Sequence, residues 1–265
     1  MTALTAFGII GGTGQLGSAI AHALLKSGTI SPDRLWIANR SGARGPFAQW
    51  PKVNITTDMS ELAACDTILL AVPPALFPEV ALEADDRLLL SVMAGVTIAQ
   101  MAKQTGARRI IRAMSSPAAE LNLAYSPWCA SPAVTEADRT TARALFEACG
   151  KTDEIGNEDE IDYFTALTGP VPGFVAFFAD SMIADAIGRG VPKAIADRAV
   201  RQLFHAAGVL LDGSDRSPAE HVEAMIAYAG TTAAGMLALR DSNLSKAIGQ
   251  GLDAAYRRAK TFAPG

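Results

Sequence analysis

The stretch Phe7-Gly8-Ile9-Ile10-Gly11-Gly12-Thr13-Gly14-Gln15-Leu16-Gly17-Ser18-Ala19 decides how the first half of the chain folds. An apolar run ends in glycines at Gly12, Gly14 and Gly17, and a helix-forming run from Ser18 to Lys26 follows. Strand, then G-x-G-x-x-G, then helix is the context that a dinucleotide-binding turn requires. In such a turn Gly12 permits the tight reversal, Gly14 lets backbone approach a pyrophosphate, and Gly17 lets the helix pack closely on the strand. The phosphates then face free backbone N–H groups and the positive end of the helix dipole. Gly12, Thr13, Gly14, Gln15 and Leu16 are therefore the first candidate cofactor-binding residues.

A second apolar strand, Arg34 to Ala38, runs into Asn39-Arg40-Ser41. A site for NAD places Asp or Glu here, about 20 residues beyond the glycines, to hold the ribose 2′-hydroxyl. This chain has an amide, a guanidinium and a hydroxyl instead. These suit a 2′-phosphate, to which Arg gives charge-assisted, bidentate contacts. The expected cofactor is NADP(H), held at Asn39, Arg40 and Ser41; the structural alternative makes Arg40 a solvated loop cation.

Composition bounds the rest. The chain has 265 residues, 49% of them hydrophobic and 19% charged, with a net charge of −4. This is a globular composition with enough sequence for a buried core. The slight negative charge and the lack of a basic stripe argue against a nucleic-acid partner. Cys65, Cys129 and Cys149 form no C-x-x-C pair and are odd in number, as in a reducing compartment. His22, His205 and His221 lie far apart with no metal-ligand spacing, so no metal is expected. No basic segment precedes an apolar signal region, and no apolar run approaches the ~20 residues of a membrane span. A cytoplasmic protein is the expectation.

The two halves differ in texture. Up to residue 156 strands alternate with helical stretches: Ala6 to Ile10, Arg34 to Ala38, Thr67 to Val72, Leu88 to Val92 and Arg109 to Ala113, with Met59 to Ala64 and Ile98 to Gln104 between them. Leu123 to Ala130 reads as one further strand, and Glu136 to Ala148 as a helix. Short continuous apolar runs such as Thr67 to Val72 fit strands buried on both faces, so the fold class is α/β: a Rossmann-type, doubly wound parallel sheet. Residues 157–265 read as an all-α domain. Within it Phe174 to Arg189 is apolar around most of its circumference, which marks a buried helix and suggests cover by a second subunit. Ser217-Pro218-Ala219-Glu220 carries two helix-start signals, a capping box and Pro at the first helical position. The turn Ala229-Gly230-Thr231-Thr232 leads into the final helices. The histidines read as packing or surface residues, with His221 exposed, and Met182, Met225 and Met236 as core fillers. Asn157 to Asp162 reads as a solvated loop or helix start.

Taken together the chain resembles the pyrroline-5-carboxylate reductases, NAD(P)H-dependent imine reductases of proline synthesis, over almost its whole length. The glycine turn matches in position and spacing, and Leu70-Ala71-Val72-Pro73-Pro74 is similar to that family's Leu-Ala-Val-Lys-Pro segment beside the cofactor. Ser91 to Thr97, Ala166-Leu167-Thr168-Gly169 with Pro172, Gly190-Val191-Pro192 and Gly230-Thr231-Thr232 complete the likeness. The resemblance implies cofactor contacts at Ala71, Val72 and Pro73, a helical dimerisation domain with a homodimer or higher assembly, and a substrate carboxylate docked at Gly230, Thr231 and Thr232. Thr232 is then the candidate catalytic residue; the structural alternative is a threonine that caps the helix.

The departures cluster around the nicotinamide and substrate pocket. Pro73 replaces the family's Lys, Met114-Ser115-Ser116-Pro117 is shorter than Met-Pro-Asn-Thr-Pro, Thr168 to Phe174 replaces Ser-Gly-Ser-Gly-Pro-Ala-Tyr, and Ala227-Tyr228-Ala229 precedes Gly230 where the family has Ser-Pro-Gly. Tyr228 adds bulk and a polar tip to the pocket wall, which opens the site to a different small cyclic imine. Two rival readings follow from the same residues: a deazaflavin-dependent NADP oxidoreductase, whose glycine turn is worded alike, and a non-catalytic NADP(H)-binding regulator.

Overall fold

The computed structural model describes residues 6–261; the ends of the two expected domains, 1–5 and 262–265, lie outside the described residues. It divides into two compact units. One runs to residue 170 and takes in the chain from 254 onward; the other is Val171–Asp253.

Seven strands form the sheet of the first unit: β1 (Phe7–Ile10), β2 (Leu35–Ala38), β3 (Asn54–Thr56), β4 (Thr67–Leu70), β5 (Leu88–Ser91), β6 (Arg109–Ala113) and β8 (Trp128–Ala130). Their order is β3-β2-β1-β4-β5-β6-β8, parallel throughout except for β8, which pairs antiparallel with β6. Side chains alternate across the sheet as the pleat demands. Phe7, Ile9, Leu69, Leu88, Leu90 and Ile111 face a core built on helices α1 (Gln15–Lys26) and α3 (Glu136–Glu147). Ile10, Ile68, Leu70, Leu89 and Ile110 face the opposite core, which holds Met101 of α2 (Ile98–Thr105). Burial on both faces is why these strands read as unbroken apolar runs.

Three local expectations are corrected. Leu123 to Ala130 is two strands, not one: β7 (Ala124–Tyr125) pairs with β9 (Gly150–Lys151) in a separate ribbon, and β8 joins the main sheet. Pro127, between them, has no N–H to continue a ladder. Met59–Ala64 closes as a 3-10 turn capped by Asp58, not as an α-helix. Asn157 to Asp162 is a helix start, one of its two readings, with Asn157 capping α4 (Glu158–Leu167) and Asp159 and Glu160 exposed, but it is not solvated throughout, because Asp162 is buried. Glu158 and Asp162 reach Arg112 of β6, at 3.2 and 2.5 Å. The guanidinium is 1% exposed, so these carboxylates supply the compensation that a buried charge needs. The expected boundary at 156/157 thus coincides with the start of α4, but α4 itself stays with the first unit.

The second unit contains α5 (Gly173–Gly188), α6 (Lys193–Asp212), α7 (Pro218–Ala227), α8 (Thr231–Arg240) and the first part of α9 (Leu244–Lys260). Ser217 and Glu220 close the expected capping box on α7. α5 has no buried residue within the single chain, with Phe177 73% exposed. Met182 of α5 and Met225 of α7 are exposed too, so within one chain they fill no core. His221 is half-buried, with Nε2 2.9 Å from the Ser214 hydroxyl, and His205 is exposed. No helix of the described residues is long and apolar enough to cross a membrane.

Cys65, Cys129 and Cys149 are free and buried, and burial pushes each thiol up to about 12. The folded thiols hold their protons more tightly than unfolded ones, so their contribution to stability is lost as pH rises from about 9 toward 12. A thiol-reactive dye at pH 8 should label none of the three in the native protein within minutes and all three in denaturant. Rapid native labelling would contradict the burial described here.

Candidate functional site

The glycine turn lies at the carboxyl end of β1, between β2 and β4. Gly11 donates its N–H to the Ala38 carbonyl, and Ala71 donates to the Ile10 carbonyl, 3.0 and 2.9 Å away. The turn, the 39–41 loop and Ala71-Val72-Pro73 are thereby gathered at one edge of the sheet, where open α/β folds bind their ligands. A cleft of about 440 Å³ beside β8, lined in part by Ser131, Arg139, Glu154 and Glu158, shares no residue with this cluster.

Each glycine has a distinct steric duty, and one duty moves. The positive-φ residue is Gly11, at φ +82°, with the Ala71 carbonyl oxygen 2.7 Å from where a Cβ would stand. The tight reversal expected of Gly12 therefore belongs to Gly11, whose signal was the Gly-Gly doublet. Gly12 is needed because Ile37 of β2 would meet its Cβ at 2.7 Å. A Cβ on Gly17 would sit 2.5 Å from the Gly11 carbonyl oxygen, so α1 runs against the turn as expected. Gly14 is exposed, is the N-cap of α1, and carries no side-chain cap. The first-turn N–H groups of Gln15 and Leu16 have no intrahelical acceptor and lie where an anion meets the helix dipole. Thr13 is half-buried beside the turn.

The loop after β2 is braced by its own side chains. Asn39 Nδ2 donates to the Ala43 carbonyl, the Ser41 N–H and hydroxyl donate to Asn39 Oδ1, and the Ala43 N–H donates to the Ser41 hydroxyl. Asn39 and Ser41 thus shape the loop, and Arg40 between them is exposed, with no ion pair among the described residues. Arg44 is committed elsewhere, donating to the Trp50 and Val53 carbonyls. The residues fit a dinucleotide with a 2′-phosphate: a glycine turn with no room for a Cβ at Gly11, Gly12 or Gly17, free helix N–H groups, no acid after β2, and an exposed guanidinium at Arg40 with no ion pair among the described residues.

Beyond β4, Ala71 and Val72 are half-buried and Pro73 is exposed, entering a 3-10 turn at Pro74–Glu79. After β6 the Ser126 hydroxyl donates to Ser115, while the Ser116 hydroxyl is buried without a partner. The sequence marked this loop only as a departure from a family pattern.

In the second unit Tyr228 ends α7 and is 86% exposed. Ala229 takes φ +56°, a left-handed conformation that costs a non-glycine residue about 1–3 kcal/mol. Gly230 is the N-cap of α8, and Thr231 and Thr232 are its first two helical residues. Neither threonine is the N-cap of this helix. Both are exposed and, among the described residues, neither hydroxyl is hydrogen-bonded. Their N–H groups precede the first helical bond and are free for an acceptor. Such an end, with two hydroxyls and no acid in its first turn, suits a carboxylate.

Comparison with known proteins matches both parts of the chain. Residues 158–262 match the family model for pyrroline-5-carboxylate reductase dimerisation, and residues 6–95 the model for NADP oxidoreductase, coenzyme F420-dependent. A pyrroline-5-carboxylate reductase from Thermus thermophilus is 31% identical over 93% of this chain and 95% of its own. One from Synechocystis is 29% identical over 96% of each. Among solved structures, a pyrroline-5-carboxylate reductase from Coxiella burnetii superposes with a TM-score of 0.87 at 24% identity, covering both chains fully. That of Plasmodium falciparum, solved with NADP bound, gives 0.83 at 23% identity, again over both whole chains. With nearly a third of its residues shared across almost the full length of such a relative, the chain belongs to the pyrroline-5-carboxylate reductase family.

Proposed function

We propose that this chain is an NADPH-dependent imine reductase that converts pyrroline-5-carboxylate, or a close cyclic imino acid, to the saturated amino acid. The observation that carries the cofactor choice is Arg40: exposed, without an ion pair among the described residues, and framed by Asn39 and Ser41 at the end of a strand that lacks the acid an NAD site uses. Gly12 to Leu16 cradle the pyrophosphate, Arg40 holds the 2′-phosphate, and Ala71-Val72-Pro73 lies beside the nicotinamide half.

NADPH supplies the hydride when bound, and the imine carbon receives it. A protonated imine is already electrophilic, so the protein's tasks are orientation and exclusion of water. The Thr231 and Thr232 N–H groups and hydroxyls, with Gly230, hold the substrate carboxylate, and Tyr228 forms part of the wall. Hydride transfer to deazaflavin is a second reading, supported by the match over residues 6–95. It predicts bleaching of oxidised deazaflavin by NADPH, which the imine reading does not.

The test follows NADPH absorbance with pyrroline-5-carboxylate and, in parallel, its six-membered and 2-carboxylate relatives. Turnover on at least one is expected; NADPH binding with none on any would overturn the reading. Thr232→Ala should raise KM and lower kcat/KM by about tenfold or more, the loss of a hydrogen bond to a charged group, with folding intact. Full activity in that variant would remove Thr232 from the site.

Arg40→Ala should weaken NADPH binding by about ten- to hundredfold and NADH binding by less than about twofold, since only the former carries the phosphate. Equal losses for the two cofactors would return Arg40 to the solvated-cation reading.

We also propose that the outward apolar surface of α5 joins two copies in a homodimer, because large apolar patches on a lone chain mark an interface. Sedimentation should give at least twice the 27.6 kDa chain mass at micromolar concentration. A monomer would contradict this.

A further inference from the structure

His22 is a buried titratable group with no part in the chemistry above. It lies on α1, 8% exposed, its ring edge-on to Phe47 with centroids 5.3 Å apart. Its Nδ1 is 3.2 Å from a Glu120 carboxylate oxygen and its Nε2 is 3.3 Å from the Pro46 carbonyl oxygen. Lys26, one turn further along α1, sets its ammonium 3.8 Å from the same carboxylate. Three segments meet on this ring: the nucleotide helix, the Gly45–Phe47 turn that continues the Arg40 loop, and the Pro117–Leu121 turn that follows β6.

The partners decide what the ring must be. A carbonyl and a carboxylate are both acceptors, whereas a neutral imidazole has one N–H to donate. Only the doubly protonated ring satisfies both. When neutral, it keeps its proton toward the charged acceptor, where the hydrogen bond is stronger, and turns a lone pair on Pro46. The loop's other fastenings are the Arg44 bonds to the Trp50 and Val53 carbonyls and buried Phe47. Of these segments, Glu120 and Lys26 are the charged groups facing the ring; Arg44 points to its two carbonyls.

Building on the NADPH reading, we propose that His22 is a positioning residue for the 2′-phosphate loop. Its ring, set between the Glu120 carboxylate and the Pro46 carbonyl, ties the turn that continues the Arg40 loop to α1 and holds Arg40 at the phosphate. The residue acts on cofactor affinity, through the loop, and not on hydride transfer.

The test is the Kd of NADPH and of NADH, read by nicotinamide fluorescence at one neutral pH, in the wild type, His22→Ala and Glu120→Gln. His22→Ala should weaken NADPH binding roughly three- to tenfold and leave NADH binding level, since only the 2′-phosphate uses the Arg40 loop. Glu120→Gln is the sharper variant, at a side chain 49% exposed that tolerates change. Its amide can donate to Nδ1, leaving Nε2–H for Pro46, so it should bind NADPH as tightly as the wild type. Unchanged NADPH affinity in His22→Ala, equal losses for the two cofactors, or a Glu120→Gln variant as weak as His22→Ala would overturn the proposal. NADPH binding without imine turnover would defeat the function and leave His22 standing; no NADPH binding in the wild type would defeat both.

Discussion

The backbone of α1 runs so close to the turn below it that a single methyl group has no place there: a Cβ on Gly17 would lie 2.5 Å from the Gly11 carbonyl oxygen. That approach sets the rest of the first unit. It aims the open end of α1 at the carboxyl edge of the sheet, and it brings Gly12 against Ile37 so that β2 delivers the Asn39-Arg40-Ser41 loop beside the same spot. Gly11 then turns under Ala71, which places the Ala71-Val72-Pro73 segment on the third side. An open helix end with its neighbouring loops at one edge of the sheet results from backbone contact distances, before any charged side chain contributes.

Much of this was legible in the sequence because the constraint is local. Glycine spacing, an apolar run before it and the missing acid after Ala38 all lie within 41 residues. The capping box at Ser217 was equally local. What could not be read depends on distant partners. Pro127 separates two strands that enter different sheets, and β9, their partner in the ribbon, is only two residues long. Asp162 looked solvated because its neighbours are polar, yet it is buried against Arg112, fifty positions away in the chain. His22 gave no sequence signal at all, since Glu120 and Pro46 meet it only in the folded unit.

In the second unit the legible feature was an absence of polarity on α5, and the opposite error appeared on its methionines. Met182 and Met225 lie among apolar helical residues as core residues do, but within one chain each is exposed. Sequence periodicity reports that a face avoids water and not which molecule covers it. The α7–α8 turn shows a similar mixture. The helix start at Gly230-Thr231-Thr232 was readable, whereas the left-handed Ala229 was not. Its strain precedes the two free threonine N–H groups, as held conformations at ligand-binding turns often do.

The central claim is that the chain carries hydride from a 2′-phosphorylated nicotinamide cofactor to a cyclic imine carbon. The most direct measurement uses NADPH deuterated at both C4 positions with unlabelled pyrroline-5-carboxylate, and the product's mass. One deuterium on the ring carbon of proline, with NADH far slower as donor at equal concentration, is the predicted result. Unlabelled proline would contradict it, as would no product from this imine and from its six-membered and 2-carboxylate relatives while NADPH is bound.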